Sequence, residues 1–155
     1  MAKGREGDGI VTGPLKAKVR LDYKGRSQPY KLFVGAKRAA EHAAEIRERE
    51  TALMRNIPLQ GIRVLEIDAS GDIYQVQDAV TGEEVAYAPV TIELEADSIE
   101  DLVRFILREE FRKIEVLEPQ ELLLTHYDAE RFLYRMGEET KQLITLAIRR
   151  LEAGR

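Results

Sequence analysis

The sequence has no cysteine and no tryptophan, and only two of its 155 residues are histidine. Without cysteine there are no disulfides, no thiolate zinc sites, no iron–sulfur clusters and no thiol nucleophile. No stretch approaches the roughly 18 uninterrupted apolar residues that a membrane-spanning helix needs. The first nine residues carry charges but no apolar core of a signal peptide. These absences predict a cytoplasmic protein with no membrane partner. The glycines at 4, 7 and 9 form neither a G-x-G-x-x-G turn after a strand nor a G-x-x-x-x-G-K-[ST] loop, so nothing predicts a nucleotide-phosphate cradle. Ser27, Ser70 and Ser98 lack the context of a nucleophile elbow or an S-x-x-K motif.

What remains is 44% apolar and 34% charged, the balance of a globular chain with a heavily charged surface. At this length one domain buries about two thirds of the surface of its unfolded form, enough for one core. The chain divides into a flexible arm over 1–13, an α+β domain over 14–122 and a helical extension over 123–155. The arm is assigned from its glycines and its lack of apolar periodicity.

From Leu15, apolar Ala17, Val19, Leu21 and Tyr23 alternate with Lys16, Lys18, Arg20 and Asp22, the period of a strand with one buried face. Lys24-Gly25 predicts a turn, and Tyr30, Leu32 and Val34 a second strand of the same hairpin. Residues 36–55 read as a helix with Ala39, Ala43, Ile46 and Leu53 inward and Arg47, Glu48, Arg49 and Glu50 outward. Strands follow over 62–68, 73–77 and 85–88, separated by turns at 69–72 and 81–82. Alternation resumes at Val90, Ile92 and Leu94. Asp97 with Glu100, or Ser98 with Asp101, then caps a helix that turns Ile99, Leu102, Val103, Ile106 and Phe111 inward. Lys113 to Leu117 form a last strand before Pro119.

The resulting βαββαβ succession predicts a ferredoxin-like antiparallel sheet with its helices on one face, extra hairpin strands and a long C-terminal helix. In that last segment Phe132, Leu133, Met136, Leu143, Ile144, Ala147, Ile148 and Leu151 recur at threes and fours. Asp128 is the expected cap, and the segment is either one helix or two meeting at Gly137. The apolar stripe is broader than packing on one surface requires, so these eight residues form a candidate association surface.

No catalytic residue and no metal ligand is assigned. His42 has Arg38 and Ile46 one turn away, so it lacks a second ligand and reads as a solvated helix histidine. His126 with Asp128 is the one local pair suited to acid–base work, and no third group orients it. No cofactor is expected. The positive lead is charge. Residues 1–38 hold ten Lys or Arg against three Asp or Glu, a balance of +7, which leaves −11 for the rest of a chain whose net charge is −4. Lys16, Lys18 and Arg20 project from one sheet face, and Arg26 and Lys31 extend the patch as candidate contacts for an anion or nucleic acid. Glu93 and Glu95, outward on another strand, would neutralise them if the two strands are neighbours.

The run Val90-Thr-Ile-Glu-Leu, then Ala96-Asp-Ser-Ile-Glu-Asp-Leu-Val-Arg-Phe-Ile-Leu, then Ile114-Glu-Val-Leu-Glu-Pro-Gln-Glu-Leu122, resembles the end of the C-terminal extension domain of WYL-type bacterial transcription regulators. The resemblance spans about 33 residues. It implies a ferredoxin-like module associated with dimerisation and effector response. The chain departs from the family in lacking tryptophan, a WYL signature and the glycine between last helix and strand, so the implication bears on fold more than on function. The expected function is a non-catalytic regulatory or assembly module, pairing with itself or another protein. Nucleic-acid binding and an enzyme with an acid–base site around His126 are the alternatives.

Overall fold

The computed structural model describes residues 1–27 and 38–154. Its strands are β1 (Ala2–Glu6), β2 (Gly9–Gly13), β3 (Leu15–Arg26), β4 (Ile62–Asp68), β5 (Tyr74–Gln77), β6 (Glu84–Ala96), β7 (Phe111–Glu118) and β8 (Glu121–Leu123). The helices are α1 (Ala39–Asn56), a 3-10 turn at Ile99–Leu102 that runs into α2 (Val103–Ile106), and α3 (His126–Ala153). The main sheet has the order β4-β6-β3-β7, all antiparallel, with β5 beside β4 on the same edge of β6. With α1 joining β3 to β4 and α2 joining β6 to β7, this is the ferredoxin-like βαββαβ arrangement.

The strand alternation places the core where the sequence pattern put it. Leu15, Ala17, Val19, Leu21 and Tyr23 of β3 meet Val90, Ile92, Leu94 and Ala96 of β6, and Leu102 and Phe105 cap them from the α2 side. The α1 side is built from small residues: Ala39 and Ala43 lie on Ala86 and Ala88. Gly25 completes that contact. A Cβ there would stand 2.2 Å from the Ala43 nitrogen and 2.3 Å from the Ala39 oxygen, so backbone meets backbone without side chains between them.

Several expectations are corrected. The first thirteen residues are no arm: β1 and β2 form a hairpin that pairs with β8 in a second, three-stranded sheet. Their residues are mostly exposed, and a strand without a well-buried face leaves no apolar alternation to detect. Lys24-Gly25 is not a turn, because β3 continues to Arg26 along β6. The strand expected over Tyr30–Val34, and Lys31, lie outside the described residues. Two expected strands are the single β6, with Pro89 inside it. Pro89 is tolerated because β4 pairs residues 91–96 and β5 residues 84–87, leaving no ladder on that edge at position 89. Arg47, expected outward, reaches into this gap and donates to the carbonyls of Gly71 and Pro89 at 2.8 and 3.2 Å. Leu53, expected inward, is exposed.

The second helix is short, and its Ser98–Asp101 capping box is present. α3 is one helix, capped by Thr125: Thr125 Oγ1 accepts from the Asp128 amide, and Asp128 accepts from the Thr125 amide. Asp128 is therefore the third helical residue of a capping box and not the cap itself. Gly137 does not interrupt α3, and a Cβ there would meet open space. Gly137→Ala is accordingly expected to stabilise α3 by about 1 kcal/mol, read as a higher midpoint in thermal denaturation followed by circular dichroism.

Candidate association surface and the charged sheet face

The sheet face away from the helices gathers the charges. β3 lies between β6 and β7, so Lys16 and Lys18 are flanked on both sides by glutamates, Glu95 and Glu93 on β6 and Glu118 and Glu115 on β7, while Arg20 stands opposite Lys113. Lys16 Nζ sits 2.8 Å from Glu93. This hydrogen bond and the charge of Glu93 hold the lysine pKa above its usual value and the Glu93 carboxyl below its own. Lys18 stands opposite Glu93 on one side and Glu115 on the other. Lys113 pairs with Glu115, and Arg63 with Glu95. Arg26 is exposed, and its backbone N–H donates to His42 Nδ1 at 3.0 Å. His42 is thus half-buried against the end of β3, not a solvated histidine. A phosphate approaching Lys16 or Lys18 would meet a carboxylate on the next strand.

Arg20 belongs to a cluster that the sequence did not disclose. It holds Asp22, which is 2% exposed, through Nε at 2.9 Å and a second nitrogen at 3.2 Å. Tyr74 of β5 donates its hydroxyl to Asp22 at 2.6 Å, and Arg112 of β7 lies 3.4 Å away. Tyr74 stacks on Tyr87 with centroids 5.3 Å apart, and Arg112 lies 5.1 Å above the Tyr87 ring. Burial pushes the Asp22 carboxyl up, but the hydrogen bonds from Arg20 and Tyr74 and the charges of Arg20 and Arg112 outweigh it, leaving its pKa below the usual value. Aromatic residues are therefore present on the outer face. Tyr87 is nonetheless covered by Tyr74 and by Arg112, so its ring is engaged within the cluster. The one sequence signal for this cluster was an Asp in the outward register of a basic strand.

His126 is exposed in the first turn of α3, while the Asp128 carboxylate accepts from the amide and hydroxyl of Thr125. Those bonds hold its pKa below the usual value. Structure therefore spends this carboxylate on the helix cap instead of aiming it at His126. Among the described residues no group of three His, Cys, Asp or Glu could hold a metal ion. Among the described residues no helix is long and apolar enough to cross a membrane.

The eight apolar residues of α3 divide into two sets. Phe132 and Met136 are half-buried where α3 meets the 3-10 turn and α2, and Arg131 pairs there with Glu100. Leu133, Leu143, Ile144, Ala147, Ile148 and Leu151 are exposed. From Thr140 to the end of the helix every described residue is exposed, including Leu146, which sequence inspection overlooked. Where α3 leaves the domain, Leu143 joins Leu53, Met54, Ile57 and Leu59 in lining an open groove of about 420 Å³. Leu53 and Ile57 are 44% and 53% exposed. Leu143 thus belongs both to the groove and to the projecting helix, and both present apolar side chains to solvent.

Comparison with family models, with curated proteins and with solved structures finds no match to this chain.

Proposed function

We propose that this chain is a non-catalytic assembly or regulatory module that acts through protein–protein association, with α3 as the contact and a second copy as partner. One observation carries the reading: the projecting end of α3 exposes Leu143, Ile144, Leu146, Ile148 and Leu151, each between 44% and 72%. A helix in water is stable when an apolar face is buried, and this stretch has no such burial among the described residues. The resemblance of residues 90–122 to the WYL extension domain, associated with dimerisation and effector response, points the same way.

Light scattering on the full chain is the test. The expected result is a mass twice that of one chain, reduced to one chain by Ile144→Asp with Ile148→Asp. The domain should stay folded in the variant, since neither side chain reaches the core, with the loss of helical circular dichroism confined to the unpaired end of α3. A strict monomer at every concentration and at low salt would overturn the reading.

A further inference from the structure

We infer, resting on that reading, that two copies pair through α3 in antiparallel fashion, about a two-fold axis between Thr145 and Leu146. Leu133, Gly137, Thr140, Ile144, Ala147 and Leu151 are spaced four, three, four, three and four apart, the heptad spacing of a coiled-coil seam. A second set, Phe132, Met136, Glu139 and Leu143, has the same spacing one residue earlier, which places it about 100° around the helix. The domain uses that second set: Phe132, Met136 and Glu139 are half-buried. The first set is free, with Leu133 66%, Ile144 55% and Leu151 72% exposed.

Residue sizes along the free seam select the direction. Antiparallel pairing about that axis sets Ile144 against Ala147 of the other copy and Leu151 against Thr140, a large side chain against a small one in each of these central layers, with Gly137 against Gly154 where the overlap ends. Parallel pairing would stack Ile144 on Ile144 and Leu151 on Leu151 but Ala147 on Ala147 and Thr140 on Thr140, so that full and thin layers alternate along the seam. Charge agrees with size. Lys141 and Glu152 flank the seam on one side, and antiparallel pairing brings each within a turn of the other's copy. Position agrees as well. The N-terminal half of α3 lies on its own domain, so antiparallel helices overlap at their projecting ends with the two domains far apart, whereas parallel helices would bring both domains to the same level. An isologous contact requires such self-complementarity.

The chain has no cysteine, so introduced thiols report position directly. Antiparallel pairing puts residues 140 and 151 of different copies opposite each other. It separates 140 from 140, and 151 from 151, by about 16 Å along the axis. With a thiol crosslinker shorter than that separation, a mixture of Thr140→Cys and Leu151→Cys chains is expected to give covalent dimers, and each variant alone should lose them. Crosslinking of each variant alone, with none specific to the mixture, would mean a parallel pair and overturn the inference. A dimer by light scattering that crosslinks in no combination would place the contact elsewhere, overturning the inference while leaving the association reading standing. A monomer that instead sediments with phosphatidylglycerol vesicles would overturn both.

Discussion

Replacing Asp22 with alanine is expected to cost about 3 kcal/mol of folding stability, the lower end of the range for removing one partner of a buried ion pair. Asp22 is the point where three strands are tied on the outer sheet face: Arg20 from β3, Tyr74 from β5 and Arg112 from β7 converge on one carboxylate. The lower end applies because the side chains of Arg20 and Arg112 are 47% and 38% exposed. Water can take over part of their solvation when the acid is lost. Tyr74→Phe removes one hydrogen bond and should cost only about 1 kcal/mol. Chemical denaturation of the three proteins checks the order, and equal stability of wild type and Asp22→Ala would sink the account. The pH dependence follows from the same group. Its native pKa lies below the unfolded one, so its contribution is full above about pH 4 and fades as the pH falls through the native value. The stability difference between wild type and Asp22→Asn should therefore narrow on acidification below pH 4 and be constant near neutrality.

Gly25→Ala is the second large effect, expected to cost about 3 kcal/mol, the upper end for overpacking. Backbone atoms of Ala43 and Ala39 occupy the space a methyl group would need. Rotamers cannot relieve that contact, so α1 must shift on β3 and loosen the Ala39, Ala43, Ala86 and Ala88 cluster. The same shift would strain the bond from the Arg26 N–H to His42. Gly137→Ala serves as the control, an identical change with open space around it. If both substitutions left stability alike, close helix–sheet approach would not be what Gly25 provides.

Legibility in the sequence tracked burial. The strands β3 and β6 have one buried face each, and their alternation names eight of the core residues, from Leu15 to Tyr23 and from Val90 to Leu94. The same criterion failed on β1 and β2, which are largely exposed on both faces and so read as an arm. It failed at Pro89, where a proline inside a strand depends on a gap between two neighbours that no local pattern encodes. Arg47 was misread because a guanidinium on the flank of a helix looks solvated until the carbonyls of Gly71 and Pro89 are placed beside it.

The candidate surface was readable in part. Threes and fours along α3 identified the apolar residues, but only docking on α2 showed that Phe132 and Met136 are used internally and the later residues are not. By itself, then, the sequence determined the α+β class, the buried faces of β3 and β6 and the amphipathic character of α3, since each depends on periodicity within one element. Which strands became neighbours was decided by tertiary structure. That choice turned a chain with a basic N-terminal segment and an acidic remainder into a sheet face of opposed charges around Lys16, Lys18 and Asp22. It also left the end of α3 standing clear. The physical reason is range: hydrophobic alternation is written within a few residues, whereas charge pairing and exposure depend on contacts between segments far apart in the chain.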